Sequence, residues 1–456
     1  MKNKYSMILL TLAITLSSCR KYVEIDQLSV RTLKYTSDFR NTLNNNNVLE
    51  GTYSYPILSG DDTEITDVTR QNSLNDILSN VYTWAPKYTS ESQSDSDWDK
   101  QYKTIYVCNE VLQGVLTSLD GTEVEKKRIY AEALVHRAYA YLILVNMYGK
   151  QYTSATAATD LGVPLLTTPN LYTKLNRAPV AEVYSQILKD LRASISNLPG
   201  IADYNVRPAK VSAYAIFAKT YLNMRDFRNA ALYADSALSL KNGLLDLKSY
   251  ETAPGTIPVR LLNPEIIFSK TSNVVYPAIS ISSDLLASLG PNDLRYKLFS
   301  DVRGRFGTQF SIAFTGRAST KNLINEPVIN NGPTVPEMML IKAECLARDG
   351  KTADALALVN NLRIKRFSTA NYVPLSAADP VQALRIVVEE KRREFFGTGI
   401  RWFDQKRLNL DADFASTKTR TFKSLNYTLE ANSNRYLYPI GDKYILLNPE
   451  LEQNPR

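Results

Sequence analysis

Residues 391–409 read KRREFFGTGIRWFDQKRLN. Six of the nineteen are Lys or Arg and four are aromatic. Such a run can grip nucleic acid, line a site or pack, and its neighbours decide between these. Val381, Leu384 and Val388 form an apolar helix stripe leading into the stretch. Glu389 and Arg393 stand one helical turn apart and predict an ion pair. Gly397 and Gly399 then end that helix, and residues 401–407 begin another. Phe395, Phe396, Trp402 and Phe403 are expected to bury on both sides of the turn, with Glu389, Glu390, Glu394 and Asp404 near enough to pair the bases. The stretch therefore reads as a helix–turn–helix junction. The whole chain agrees: its net charge of +8 comes from 54 bases interleaved with 46 acids over 456 residues. A nucleic-acid binder concentrates its bases in a stripe, so nucleic acid is not an expected partner.

The N-terminus points to export. Lys2 and Lys4 precede an apolar run from Met7 to Leu16, too short to span a bilayer and suited to a signal peptide. The run ends Leu16-Ser17-Ser18-Cys19, which resembles a bacterial lipobox with Cys19 as the lipidated residue. An ordinary secretory signal is the alternative. The expected organisation is a signal peptide at 1–18, a lipid anchor and tether at 19–50, and one domain at 51–456. Cys108 and Cys345 lie in apolar, helix-like segments and are expected as buried free thiols, a disulfide between them staying open.

Helical patterns dominate from residue 98. Trp98, Tyr102, Ile105 and Asn109 share one helix face, and residues 129–148 are apolar almost all round, as in a helix buried between neighbours. Gly149 is a natural stop. Residues 208–240 place Ala218, Tyr221, Ala230 and Ala237 where a tetratricopeptide pair needs small and large side chains, and residues 335–367 repeat the plan with Ala343, Leu346, Gly350, Ala355 and Val359. The expected fold is all-α, built from tetratricopeptide-like helical pairs. Between the two pairs, residues 244–333 carry short apolar segments such as 266–269 and 310–314, read as short strands and loops of a large insertion.

Catalytic signatures are sparse. The one histidine, His136, falls inside the buried-looking helix and reads as a core residue. No GxSxG, P-loop or GxGxxG occurs. Two carboxylates suffice for a glycoside hydrolase, so that reading stays open. Asp61, Asp62, Asp95 and Asp97 could serve as these carboxylates or bind calcium, but Asp95-Ser96-Asp97 better fits an acidic helix N-terminus. No metal or cofactor is expected. The 28 Tyr against 14 Phe suit sugar recognition, where a ring packs on a pyranose and a hydroxyl bonds. Tyr53, Tyr55, Tyr82, Trp84, Tyr88 and Tyr276 are the loop aromatics expected to be free for this.

Several segments in order resemble the SusD/RagB-like outer-membrane lipoproteins of Bacteroidota. They are the lipobox, Trp98 to Asn109, Glu132-Ala133 through Arg137 and Tyr141 to Gly149, and Gly162-Val163-Pro164-Leu165. Arg392 to Gly397, Arg401-Trp402-Phe403-Asp404 with Lys406-Arg407, Leu437 to Ile440, and the two Asn-Pro pairs at 448–449 and 454–455 complete the series. The resemblance implies an α/α superhelix with a loop-rich ligand-binding portion. It also implies a lipid-anchored protein of the outer membrane facing the cell exterior. Such a protein binds oligosaccharides or peptides without cleaving them and delivers them to a SusC-like TonB-dependent transporter.

Ligand residues do not carry over by motif, because the family's binding loops vary. On physical grounds Tyr55, Tyr82, Trp84 and Tyr276 are expected to form a stacking platform, with Asp61 and Asp62 accepting sugar hydroxyls. A secreted hydrolase, and a helical scaffold binding only proteins, are the competing readings.

Overall fold

The computed structural model describes residues 33–272, 280–302, 316–321, 324 and 326–456. Cys19, the signal segment, Tyr276 and the 310–314 segment lie outside the described residues.

Ten helices of eight or more residues occur among the described residues: α1 (Thr36–Leu43), α2 (Ser96–Gly114), α3 (Glu123–Tyr148), α4 (Val180–Ser194), α5 (Lys210–Asn223), α6 (Phe227–Leu240), α7 (Val335–Arg348), α8 (Thr352–Arg363), α9 (Pro380–Phe395) and α10 (Ile400–Leu408). Their starts are set by side chains that accept otherwise orphaned backbone N–H groups. Asp95 caps α2, Thr122 caps α3, Asp226 caps α6, Thr334 caps α7 and Asp379 caps α9. The acid expected at the start of α2 is thus a cap.

From α2 to α7 each helix packs on the next, and α7 then packs on both α8 and α9. The pairs α5–α6 and α7–α8 meet directly through α6 and α7, although the insertion separates them in sequence. The small residues predicted for close helix approach are all fully buried, among them Ala218, Ala230, Ala237, Ala343 and Ala355. Gly350, at φ +77°, makes the α7–α8 turn. α3 is buried on nearly every face from Ala131 onward, as its unbroken apolar sequence requires. No described helix is long and apolar enough to cross a membrane.

Two expectations need correction. Residues 36–49, placed in the tether, belong to the folded body. Phe39, Leu43 and Leu49 pack with Cys108, Val111, Ile129 and Ala133, and Arg40 pairs with buried Glu132 at 2.5 Å. The polar Asn44–Asn47 run had concealed the apolar residues on either side of it. In the insertion, Ile266 makes one isolated bridge to Thr334. The described short ladders pair β1 (Leu161–Pro164) with β2 (Arg177–Pro179) before the insertion and, within it, β3 (Thr271–Ser272) with β6 (Ile329–Asn330) and β4 (Ser300–Asp301) with β5 (Ala318–Ser319).

The C-terminal third closes the body. Lys406 Nζ donates to the Asn146 and Gly149 carbonyls at 2.8 and 2.6 Å, placing an amine donor at the C-terminus of α3. Asn454 Nδ2 donates to the Tyr148 and Tyr438 carbonyls, each at 2.8 Å. A hairpin of β7 (Lys418–Phe422) and β8 (Leu425–Leu429) follows α10. Its tight turn puts Lys423 and Ser424 at positive φ, the twist that short hairpins favour.

Both Cys108 and Cys345 are free and buried, and burial pushes each thiol up to about 12. His136 is buried against Phe268, its Nδ1 3.0 Å from Lys270 Nζ. Burial and then the Lys270 charge push its pKa well down, so it stays neutral.

Candidate ligand-binding cleft

The 391–409 junction borders a cleft through Arg392. Its helices are α9 and α10, and Gly397 and Gly399 both take positive φ between them. Trp402 is fully buried and stacks on Tyr436 at 4.9 Å, while Phe403 meets Tyr53 edge-on at 5.1 Å. Three of the six bases pair with acids predicted for them nearby, Arg393 with Glu390 and both Lys391 and Arg407 with Asp404, while two others reach far along the chain. Arg392 donates to Asp62 Oδ1 at 2.6 Å, and Arg401 holds both Asp61 oxygens at 2.7 and 3.0 Å. The predicted Glu389–Arg393 pair is replaced by Arg393–Glu390 at 3.1 Å. Buried Glu390 also binds Arg295 and Arg363, so it is the acid that α9 turns inward.

The loop 61–66, the turn 282–284, Arg392 and the β7–β8 hairpin enclose a cleft of about 840 Å³. Asp61, Tyr82 and Trp84, three of the six residues predicted for the site, line it. Asp62 lies behind the wall, bound to Arg392. Tyr55 is elsewhere, in the core beside Tyr88 and Tyr438. Tyr276 is outside the described residues.

The stacking platform is corrected. Tyr82 and Trp84 are each 1 % exposed, and the Arg420 guanidinium covers their rings at 4.3 and 4.4 Å from the centroids. Arg420 is fixed there by the carbonyls of Leu58, Ser59, Gly60 and Tyr82. The Tyr82 hydroxyl accepts from Ile65 N, and Trp84 Nε1 donates to the Ser59 carbonyl. A large ring gains more from such burial than from a solvated loop position. Tyr53 and Tyr88 are core residues for the same reason.

Asp61 is also not a free acceptor, because Lys418 Nζ joins Arg401 on it at 2.9 Å. Burial alone would raise its carboxyl, but Arg401, Arg392 and Lys418 overcome this and hold it well below the usual range. Asp62 is driven the other way, chiefly by burial, to about 6. Its Oδ2 makes no hydrogen bond.

The face open to the cleft is polar. Arg420 and Phe422 point inward, whereas Thr419, Thr421, Asn426 and Thr428 are exposed. Cross-strand pairing sets Thr419 opposite Thr428 and Thr421 opposite Asn426, and the Thr421 hydroxyl donates to Asn426 Oδ1 at 2.8 Å. This ladder offers donors and acceptors at regular spacing along the strands. Sequence reading overlooked it. The signal was the strict alternation of Thr419 and Thr421 with Arg420 and Phe422, a period of two in a chain read as helical. Among the described residues, no three His, Cys, Asp or Glu side chains are grouped to hold a metal ion.

Comparison with known proteins yields two family matches. Residues 25–222 match a SusD-like family described as starch-binding and associating with the outer membrane, and residues 335–456 match the SusD family. SusD-like protein P2 of Formosa agariphila is 22 % identical over 526 residues, covering 99 % of each chain. Among solved structures, a SusD superfamily protein from Bacteroides thetaiotaomicron aligns with a TM-score of 0.75 at 21 % identity, covering 92 % of this chain and 100 % of that one. Surface glycan-binding protein A from Bacteroides uniformis aligns with a TM-score of 0.70 at 17 % identity, covering 92 % and 99 %. These likenesses show a common fold.

Proposed function

This chain belongs to the SusD/RagB-like family, and on that premise we propose that it binds oligosaccharide in the 61–66/β7–β8 cleft without cleaving it. It does so as a lipoprotein anchored through Cys19 on the outer face of the outer membrane, and it passes ligand to a SusC-like TonB-dependent transporter. Peptides are the other ligand class that the family resemblance allows. The observation that carries the reading is the hydroxyl and amide ladder Thr419–Thr428 and Thr421–Asn426, exposed beside a cleft of about 840 Å³. A sugar exchanges its water hydrogen bonds for just such groups. The similarity to a protein named as a surface glycan-binding protein supports the ligand class.

Calorimetric titration of detergent-solubilised full-length protein with a panel of oligosaccharides tests this. Binding is expected for at least one glycan, the recovered ligand is intact, and replacing Thr419, Asn426 and Thr428 by Ala weakens binding without unfolding the protein. Undiminished binding by the triple variant would move the site elsewhere.

One observation favours a hydrolase: the Asp61 and Asp62 carboxyls are shifted in opposite directions, the pattern of an acid–base pair. Against it, Asp61 is occupied by Arg401 and Lys418, and Asp62 is behind the cleft wall. Release of reducing ends that stops in Asp62→Asn would establish the hydrolase.

A further inference from the structure

The ion pairs around the cleft are uneven in one place. The Arg392 side chain, 7 % exposed, has one carboxylate on each side. Its Nε donates to Asp62 Oδ1 at 2.6 Å, and Asp62 is as buried as the arginine. Its Nη1 donates to Asp284 Oδ2 at 2.5 Å, and the Asp284 side chain is 80 % exposed. Asp284 stands in the first turn of the short helix Ser283–Leu289, at the cleft wall.

A buried guanidinium must be matched by anions. Its planar fork fits carboxylate and sulfate groups best. Asp62 supplies one such match from within the wall. The second comes from a surface side chain that water reaches almost freely, and an exposed partner of this kind contributes little. An incoming anion therefore replaces Asp284 at small cost, and Asp284 is at once solvated. Lys418 offers a second cation in the same cleft. Its partner Asp61 is already held at both oxygens by Arg401, so Asp61 stays paired when Lys418 turns to a ligand.

We propose, on the premise that this cleft is the glycan site, that its ligand is an acidic oligosaccharide and that Asp284 keeps the place of the ligand's anion on Arg392. A carboxylate or sulfate of the sugar chain displaces Asp284 and is bound by Arg392 and Lys418. The exposed face of β7–β8 takes the neighbouring hydroxyls.

The test titrates detergent-solubilised full-length protein with three probes: oligogalacturonate, a sulfated galactan oligosaccharide and a neutral β-glucan oligosaccharide. One acidic probe is expected to bind, with affinity falling as salt is raised. Comparison of the first two probes assigns carboxylate or sulfate. Asp284→Asn removes the internal competitor and is expected to tighten acidic binding about two- to fivefold. Lys418→Gln, at a partly exposed site, is expected to weaken acidic binding selectively. Acidic binding that is unchanged or weaker in Asp284→Asn overturns the proposal. Binding of the neutral probe alone also overturns it, while leaving the glycan reading intact. Binding of none of the three by folded protein overturns both.

Discussion

Arg407 reaches back 63 positions to Glu344 and holds both carboxylate oxygens, at 2.6 and 2.9 Å. Both side chains are essentially inaccessible to solvent. Arg348 joins Glu344 at 3.0 Å, and Asp404 links Arg407 to Lys391, so a closed set of charges fastens α7 to the α9–α10 junction. Removing one member leaves the others buried and unmatched. Arg407→Met is therefore expected to lower the unfolding free energy by about 3–5 kcal/mol, measured in urea. A loss under about 1 kcal/mol would mean that the pair behaves as a surface one.

Stability is expected to fall on both sides of a mildly acidic optimum. Burial alone would raise Glu344, but Arg407, Lys391 and Arg348 hold it well below its ordinary 4.5. Its contribution is full above that value and is lost as pH falls. Asp95 has the opposite sign: burial and then the Asp97 charge raise it from 3.8 to about 7. Its protonated form is favoured by folding, so that contribution is full below about 4 and lost as pH rises through about 7. Asp95→Asn retains the capping oxygen and is expected to flatten the alkaline side of a profile of Tm against pH. A variant whose Tm still drops as steeply from about pH 4 to about pH 7 would rule Asp95 out as the source.

Trp402 is expected to matter for stability and not for ligand. Truncation to Ala vacates a fully buried site against Tyr436 and Tyr438 and costs about 3–5 kcal/mol. Trp402→Phe costs less, because the buried indole N–H has no hydrogen-bond partner to lose. Below its melting transition each variant keeps wild-type glycan affinity. Trp402→Ala with an unchanged Tm and lost binding would place the indole in the site instead.

Two glycines at similar φ separate backbone strain from crowding. Gly350 is at φ +77° with nothing within 4 Å of an added Cβ, so Gly350→Ala costs about 1 kcal/mol for the left-handed backbone alone. Gly399 is at φ +82°, and its Cβ would meet Ile57 N, Pro56 Cβ and Tyr53 Cε2, each at 3.0 Å. Gly399→Ala is expected to cost at least about twice as much, read from denaturant midpoints. Equal losses would show that the 53–57 segment yields freely.

The helical scaffold was legible because its signals are local. Alanine spacing marked the pairs, and Gly-x-Gly marked the junction. The junction's local partners Glu390 and Asp404 were legible, but those of Arg392 and Arg401 were not, because they come from far away. Asp61 lies 340 positions from Arg401, and Asp62 lies 330 from Arg392. The aromatics near residues 53–88 were misread for a related reason. Turn-rich sequence around Tyr82 and Trp84 suggested exposure, and nothing local showed that Arg420 would cover them. One sign lies in the backbone: Trp84 has φ +54°, a conformation a bulky residue keeps only when its surroundings impose it.

The capping of α3 has a consequence for the order of assembly. Its last carbonyls receive their donors from Lys406, 260 positions after Asn146, and from Asn454, 306 positions after Tyr148. A chain delivered from its N-terminus exposes this helix, buried on nearly every face from Ala131 onward, long before those donors exist. Docking of α2 and α4 can shield its flanks early, since both are neighbours in sequence. Arg177 already donates to the Tyr148 carbonyl at 3.0 Å, and Asn454 later adds a second donor that ties this helix end to the Tyr438 carbonyl.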